Sequence, residues 1–160
     1  MKTLRTIGVY GFDQAAFLRA LTGADVDLLL DVRQRRGVRG SEYAWANAKR
    51  LQDALAEAGI GYSHLRELAP TTEMRQLQYE ADARLGEGKR SRTNLAPEYV
   101  ERYSAEVLDR VDLDPVARWI GNSAAALLCV ERDPEACHRS LIAERMRREL
   151  DFEVEHLRPD

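Results

Sequence analysis

The sequence has few cysteines, and Cys129 and Cys137 are the two in 160 residues. Two thiols are too few for a secreted disulfide framework, and no second cysteine pair is present to complete a structural zinc site. Of the three histidines, His64 and His138 lie near predicted strand ends, but no ligand spacing along the chain indicates a metal. We therefore expect a reducing, cytoplasmic compartment and no metal site.

Long apolar runs are also missing from this chain. The longest, from Ala124 to Val130, is far shorter than the roughly 20 residues that a membrane-spanning helix needs. The first residues have a strand-like pattern in place of the hydrophobic segment of a signal peptide. We therefore expect no membrane partner and no export.

The chain has no strong excess of charge of either sign, since its formal net charge is −3. A charge this small gives no overall attraction to nucleic acid or to an anionic membrane, so any anion binding must come from local clusters of basic residues. The hydrophobic fraction of 44% and the charged fraction of 32% are usual for a globular protein. The length of 160 residues predicts a single domain over residues 1–160.

Strand-like and helix-like segments alternate along the chain. Apolar, β-branched segments predict strands at 4–10, 26–32, 60–65, 124–131 and 152–157. Amphipathic segments predict helices at about 14–23, 43–58, 71–85, 97–121 (two helices) and 134–150. Asp13 and Asp114 are predicted helix caps. The alternation predicts an α/β fold with three layers, in which an open, mostly parallel sheet of about five strands carries helices on both faces.

In a sheet of this kind, ligands bind beyond the carboxyl ends of the strands, and the predicted strand ends here are polar. The polar residues are Tyr10, Gly11 and Asp13 after the first strand, Asp31, Arg33, Arg35, Arg36 and Arg39 after the second, His64, Arg66 and Glu67 after the third, and Glu131, Arg132, Asp133, Cys137, His138 and Arg139 after the fourth. We expect these residues to form a polar crevice at one edge of the sheet.

The start of the last predicted helix favours two of these residues. Its apolar half contains Leu141, Ile142, Met146 and Leu150. His138 and Arg139 fall within the same half, so we expect them to point toward the strand ends, at a helix N-terminus that favours an anion. Cys137 falls outside that half and is expected to point away.

A structural role is the alternative for each of these residues. His138 would then tie the helix to the sheet through Glu131 or Asp133. Arg139 would form an ion pair with Asp31 or Glu131, because buried carboxylates at strand ends need partners.

The segment after the second strand is rich in arginine and glycine. It contains Arg33, Arg35, Arg36 and Arg39, interleaved with Gly37 and Gly40. Guanidinium groups match the geometry of phosphate, so this segment is a candidate phosphate-binding loop; the alternative is a solvated surface loop. Nearby Tyr43 and Trp45 would stack a base or a sugar, or would belong to the core.

A second basic patch lies in the stretch 86–94, which is the most loop-like part of the chain. It contains Lys89, Arg90 and Arg92. We expect a mobile loop here that would fold over a bound anion.

Four segments resemble the bacterial and archaeal family called domain of unknown function 488. They are "TIGVYGF" at the start, "LLLDVRQRRGVRGSEY" after it, "AGIGYSHLRELAPT" next and "LLCVERDPEACHRSLIAERM" near the end. The last is the most specific and includes Cys129, Glu131, Cys137, His138 and Arg139; the triplet from Asp31 to Arg33 matches as well. The resemblance implies a cytosolic α/β protein and brings no agreed activity.

The chain departs from the commoner form of that family at the first strand. Many members are similar to "TIGHS" there, whereas Val9 and Tyr10 stand in place of the histidine and serine. The chain resembles the subgroup with "VYGF" and "RRGVRGSEY", so chemistry that depends on the first-strand histidine is not expected.

Three hypotheses about function follow. The first is an enzyme that acts on a phosphate-bearing substrate, a nucleotide or nucleic acid, with His138 as general acid or base and with Asp31 or Glu131 orienting it. The binding residues would be Arg33, Arg35, Arg36, Arg39, Arg139, Tyr10 and His64. The second is a non-catalytic module that binds nucleic acid or a phosphorylated ligand, because no P-loop, GxSxG or HExxH motif is present.

The third hypothesis is thiol chemistry at Cys137, since a thiol in the first turn of a helix has a lowered pKa. Cys129 lies within a predicted strand and is expected to be a small core residue. The residues identify no cofactor and no oligomeric state.

Overall fold

The structure is a computed structural model that describes residues 2–121 and 123–160. Within these residues five strands form one sheet in the order β3-β2-β4-β1-β5, and every neighbouring pair is parallel. The strands are β1 (Lys2–Ile7), β2 (Leu28–Asp31), β3 (Gly61–His64), β4 (Ala125–Leu128) and β5 (Phe152–Leu157). The predicted parallel sheet of five strands is confirmed.

Helices cover both faces of the sheet, as predicted. They are α1 (Gln14–Gly23), α2 (Ala48–Glu57), α3 (Thr72–Arg84), α4 (Pro97–Tyr103), α5 (Asp114–Ile120) and α6 (His138–Leu150). Shorter 3-10 turns span Ser41–Ala46, Arg66–Leu68 and Pro134–Ala136, and a π-helical turn spans Ser104–Leu108. No helix among the described residues is long and apolar enough to cross a membrane.

Alternation of side chains along the central strands divides the core into two layers. Leu28 and Leu30 pack in one cluster with α3, α4, α5 and α6, whereas Leu29 packs in the other with α1 and α2. All four residues of β2 are buried because successive side chains point to opposite, covered faces. The apolar run that predicted this strand therefore reflects burial on both sides.

The start of α1 follows its predicted capping. Asp13 Oδ1 accepts a hydrogen bond of 2.8 Å from the Ala16 backbone N–H. The rings of Phe12 and Phe17 meet edge to face with centroids 5.8 Å apart, which is the hydrophobic contact expected on either side of such a cap.

Two predicted helix starts are wrong. The helix predicted from about residue 43 is interrupted at Asn47, whose backbone is extended and whose Oδ1 accepts a 2.7 Å hydrogen bond from Val38 N–H. Asp114 does not cap α5 but is its first residue, and its own N–H donates to Asp112 Oδ1.

The last helix also begins later than predicted. The segment Pro134–Ala136 is a separate 3-10 turn, Cys137 has an extended backbone, and α6 starts at His138. A helical wheel therefore does not apply to Cys137, which is 1% exposed, so the predicted outward orientation is wrong.

The order of the strands locates the crevice. β2 and β4 are neighbours, yet the chain leaves β2 toward β3 on one side and leaves β4 toward β5 on the other. The carboxyl ends of such a strand pair diverge into helices on opposite faces, which leaves a space between them. The polar segments after β2 and β4 border that space.

Candidate functional site

The thiol–imidazole cluster, which we define as Cys129, Cys137 and His138, lies at the carboxyl end of β4. Cys129 follows the strand directly, while Cys137 and His138 begin α6. The ligand-type atoms of the three side chains all lie within 4.8 Å of one another, and all three residues are buried. The turn at Pro134–Ala136 brings Cys137 back to the strand end.

The orientation of the His138 ring is fixed by the backbone after β2. Its Nε2 lies 2.8 Å from the carbonyl oxygen of Val32, to which only a protonated nitrogen can bind. Nδ1 faces the two sulfurs, at 3.6 Å from Cys129 Sγ and 3.9 Å from Cys137 Sγ. His138 is therefore satisfied structurally, but through a carbonyl group and not through Glu131 or Asp133.

The charges of Cys137 and His138 depend on each other. Burial by itself would raise the pKa of the Cys137 thiol, but its contact with Cys129 and the positive charges of Arg139 and His138 lower that pKa well below its ordinary value. Burial would lower the pKa of His138, but the Cys137 charge, their hydrogen bond and the Val32 carbonyl raise it. The two groups thus favour a thiolate next to an imidazolium.

Glu131 connects this cluster to a buried arginine. Burial raises the pKa of the Glu131 carboxyl, whose Oε2 lies 3.3 Å from Cys129 Sγ. Burial likewise raises the pKa of the Cys129 thiol, which donates this hydrogen bond. Glu131 Oε1 accepts from Arg92 Nη1 at 3.2 Å, and Arg92 Nε donates to Asp82 Oδ2 at 3.0 Å.

Arg92 has a different position from the one the sequence indicated. It comes from the stretch 86–94, where we expected it to project from a mobile loop, but its side chain is 4% exposed and ion-paired with Asp82 and Glu131. It also donates to the carbonyl oxygen of Ala136. Arg92 therefore joins the loop to the floor of the crevice.

Asp31 and Arg33 form a buried pair of their own. Arg33 Nε and Nη2 donate to the two oxygens of Asp31 at 2.9 and 2.8 Å, and Nη1 donates to the Ala46 carbonyl oxygen. The Tyr62 hydroxyl donates to Asp31 Oδ2 at 2.5 Å. Asp31 and Arg33 thus satisfy each other in the core, while the roles predicted for them, as the partner of His138 and as a phosphate ligand, stay predictions.

Arg139 is also a structural residue. It is fully buried and donates to Thr6 Oγ1 and to the carbonyl oxygens of Glu131 and Arg132, at 3.3, 2.6 and 3.2 Å. A Cβ added at Gly8 would lie 2.0 Å from the same Glu131 carbonyl, so only glycine allows this close approach. Arg139 thus links the end of β1 to the segment after β4, and the phosphate-binding role predicted for it stays a prediction.

His64 and Arg36 lie on another part of the surface. His64 Nε2 is 2.7 Å from the Arg33 carbonyl oxygen, and Arg36 Nη1 donates to the Tyr62 hydroxyl at 3.3 Å. Together with Asn47 they border an open depression that does not include the cluster residues. These two predicted binding residues are not brought together with His138.

The space between the ends of β2 and β4 has two connected parts. The inner cavity, of about 40 Å³, has Cys129, Glu131 and His138 at its floor. The outer cleft, of about 750 Å³, is lined by the basic residues Arg35, Arg39, Arg75, Lys89 and Arg90 together with Tyr10, Tyr79 and other side chains. Arg35, Arg75, Tyr79, Lys89 and Val130 line both parts.

Three of these cations have no protein partner in the part of the chain that the structure describes. The side chains of Arg35, Arg39 and Lys89 make no hydrogen bond or ion pair within residues 2–121 and 123–160. Arg75 binds neutral partners, the Gln34 amide oxygen and the Tyr79 hydroxyl. These four cations are therefore available to an anion in the cleft.

Arg90 closes the far side of the outer cleft. Its guanidinium lies over the rings of Tyr10 and Tyr43, 5.3 and 5.2 Å from their centroids, and it pairs with Glu42 at 3.1 Å. Tyr10 thus lies in the cleft and has an arginine on the face of its ring. Trp45 is buried and packs on Phe17, so its place is in the core.

Sequence reasoning missed some residues of the site. Arg75 and Tyr79 lie one helical turn apart on α3, and their contact brings both to the cleft. Tyr99 opens α4 and lines the inner cavity. The spacing on α3 was a usable signal, whereas the position of Tyr99 depends on how α3 and α4 pack.

Comparison with known proteins identifies a family. A search of curated proteins finds no match, and a search of solved structures finds none either. The family model described as Domain of unknown function DUF488 matches residues 13–146, which include the cluster and most residues that line the cleft. Because this match covers well over half of the 160 residues, the chain belongs to the DUF488 family.

Proposed function

We propose that the protein is an enzyme that acts on a phosphate-bearing substrate of about the size of a nucleotide. The observation that carries the proposal is the continuity between a basic outer cleft and an inner cavity with Cys129, Glu131 and His138 at its floor. The substrate's phosphate would lie in the cleft, and its reacting part would enter the cavity.

The charge of the outer cleft supports an anionic ligand. Among the described residues, five Arg or Lys side chains line the cleft and no Asp or Glu does, although the whole chain carries a net charge of −3. The volume of about 750 Å³ lies within the range of small-molecule sites, roughly 300–1,000 Å³. Guanidinium and ammonium groups without protein partners, such as Arg35 and Lys89, suit phosphate oxygens.

The contents of the inner cavity support a reaction at the part of the substrate that would enter it. A volume of about 40 Å³ holds a few water molecules, since a cavity needs about 10–15 Å³ to hold one water molecule. Glu131 is the carboxyl group at this floor, and a carboxyl group can accept or donate a proton. Both ring nitrogens of His138 have partners, so the acid–base role passes from His138, where the sequence put it, to Glu131.

The same contacts of His138 favour the second candidate, a module that binds without turnover. An imidazole that is held on both nitrogens orders the floor of the crevice without reacting. Turnover separates the two candidates, whereas phosphate binding is common to both.

Binding is tested with a fluorescently labelled nucleoside triphosphate and the matching labelled nucleoside, followed by fluorescence anisotropy. We expect the triphosphate to bind and the nucleoside to bind far more weakly. The double variant R35Q/K89Q should weaken triphosphate binding at least about tenfold, because a hydrogen bond to a charged group contributes about 1.5–3 kcal/mol.

Arg110→Gln is the matched control. Arg110 is an exposed arginine in the turn before α5, and it does not line the cleft or the inner cavity. Equal binding of both probes, or an equal loss in the control, would contradict the proposal. If a single-stranded oligonucleotide binds more tightly than the triphosphate, with an affinity that falls steeply with added salt, the ligand is a nucleic acid and not a single nucleotide.

Turnover is tested by incubating the protein with a mixture of nucleoside mono-, di- and triphosphates and separating the products by chromatography. We expect at least one component to be converted by the wild type. Glu131→Gln should remove this conversion while keeping triphosphate affinity within a few-fold. Binding without conversion of any component would favour the non-catalytic module.

A further inference from the structure

The thiol–imidazole cluster has the dimensions of a metal site. Bond lengths of about 2.3 Å to sulfur and about 2.0–2.1 Å to nitrogen in a tetrahedral zinc site place sulfur and nitrogen ligands roughly 3.6 Å apart. His138 Nδ1 lies 3.6 Å from Cys129 Sγ and 3.9 Å from Cys137 Sγ. All three atoms lie within 4.8 Å of one another, so a single cation can reach them with small side-chain shifts.

The His138 ring is held as a metal-binding histidine is usually held. Its Nε2–H donates to the Val32 carbonyl oxygen, which directs Nδ1 at the sulfurs. A bound cation would displace the Nδ1 proton and take up the lone pair of that nitrogen. The Tyr103 ring packs against the imidazole with centroids 5.4 Å apart, which further restricts its rotation. The ligand orientation is thus set by groups outside the cluster.

The charges suit a buried divalent cation. Metal binding would release the proton of Cys129, and the two thiolates would then neutralise a 2+ charge, so the occupied site would bury no net charge of its own. The neighbouring carboxylate of Glu131 forms an ion pair with Arg92, which Asp82 shares. A disulfide between Cys129 and Cys137 would not need the imidazole, whose Nδ1 is near both sulfurs.

We propose that Cys129, Cys137 and His138 bind a zinc-like divalent cation, with the fourth coordination position open to the inner cavity. Three protein ligands with an open position are typical of catalytic zinc sites, whereas structural sites have four. Cys129 and His138 line the cavity, which has room for a coordinated water. Sulfur and imidazole ligands in a tetrahedral arrangement favour zinc over calcium or magnesium.

Glu131 is the positioning carboxylate of this site. Its Oε2 lies 3.3 Å from Cys129 Sγ, at the side of the cluster that borders the cavity. It would accept a hydrogen bond from the coordinated water. The site goes beyond the proposed function, because metal binding and phosphate binding use different residues and have separate measurements.

Metal binding is tested on the full chain after complete reduction, with the metal content measured by mass spectrometry. Protein expressed with added zinc should contain about one zinc per chain. Addition of cobalt(II) to the metal-free protein should give the visible and thiolate charge-transfer absorption bands of a tetrahedral site. X-ray absorption should find two sulfurs at about 2.3 Å and nitrogen or oxygen at about 2.0–2.1 Å.

The variants C129S, C137S and H138Q should each lose most of the zinc and the cobalt bands. H64Q is the matched control, because His64 also places Nε2 against a carbonyl oxygen, that of Arg33, but lies outside the cluster. Circular dichroism shows which variants fold. The cobalt spectrum of the wild type tests the site even if a variant fails to fold. A folded, reduced wild type with neither zinc nor cobalt bands would overturn the proposal, as would unchanged cobalt bands in C137S.

The results also separate this proposal from the proposed function. Loss of zinc without loss of triphosphate binding is expected for C137S, since the cleft cations Arg35 and Lys89 are untouched. A wild type that binds zinc but no triphosphate would retain the metal site and contradict the proposed function.

Discussion

At the scale of single residues, the sequence predicts where in the fold a side chain lies more reliably than it predicts which group that side chain contacts. Arg33 and Arg139 were expected to bind phosphate and do lie at strand ends, but both are buried and donate to protein acceptors. Exposed Arg35, two residues after Arg33, lines the cleft and has no protein partner among the described residues. The sequence locates the arginines, but the choice between core and cleft depends on contacts between segments distant in the chain, such as Arg33 with Ala46.

The ion pair of Asp31 and Arg33 gives a prediction about stability. Replacement of Asp31 by Asn leaves the buried guanidinium without its counter-charge, so the free energy of unfolding should fall by about 3–5 kcal/mol. Urea denaturation measures this change. Arg36→Gln, which removes a cation from the same loop and one hydrogen bond to Tyr62, should cost about 1 kcal/mol or less. If both variants lose a similar amount of unfolding free energy, the ion pair of Asp31 and Arg33 does not contribute more to stability than an ordinary hydrogen bond.

His156 gives a prediction about pH. Its Nδ1 lies 2.6 Å from Thr6 Oγ1, which accepts from Arg139 and therefore donates its own proton to the histidine. Burial and the charges of Arg139 and Arg158 lower the pKa of His156, against a smaller opposing effect of Glu135. Below about pH 6.5 the unfolded chain therefore takes up a proton that the native state resists, and stability falls as the pH falls.

His156→Gln should reduce this pH dependence. The difference in unfolding free energy between wild type and variant, measured in urea from pH 7.5 down to pH 5.5, should shift in favour of the variant as the pH falls. A difference that is constant with pH would contradict the assignment of a lowered pKa to His156.

Elements were predicted well where their signals are local. The strand Phe152–Leu157 and the helix α1 with its cap match their predicted positions because strand propensity and capping act within a few residues. The start of α6 was missed because a proline-led 3-10 turn has the same composition as a helix start. This small difference places Cys137 in the cluster rather than on the surface.

The loop Gly86–Asn94 gives a prediction at this scale. Arg92 fastens it to Asp82 on α3 and to Glu131 below the cleft. Arg92→Gln should release the loop, so trypsin should cut more rapidly after Lys89 and Arg90, as followed by mass spectrometry. Arg84→Gln, at the exposed end of α3, should leave the rate unchanged. An unaltered rate in Arg92→Gln would mean that other contacts hold the loop.

The whole molecule explains why the edge of the site could be predicted and its chemistry could not. The alternation of strands and helices implies a parallel sheet. The strand order then directs the segments that follow β2 and β4 away from each other. Cys129 and His138 are nine positions apart, a spacing that is not diagnostic of a metal site, so the sequence predicted none. Their proximity depends on the strand end, the 3-10 turn and the Val32 carbonyl together.

Zinc binding to the native state should stabilise the whole fold. A ligand at a concentration of about one hundred times its Kd, bound by the native state alone, contributes about 2.7 kcal/mol, and about 1 kcal/mol shifts the Tm of a chain of this size by roughly 2–4 °C. Removal of zinc by a chelator should therefore lower the Tm of the reduced wild type by about 5–10 °C, as measured by calorimetry. In C137S the site is incomplete, so the chelator should change the Tm little. An equal shift in both proteins would place the responsible metal outside the thiol–imidazole cluster.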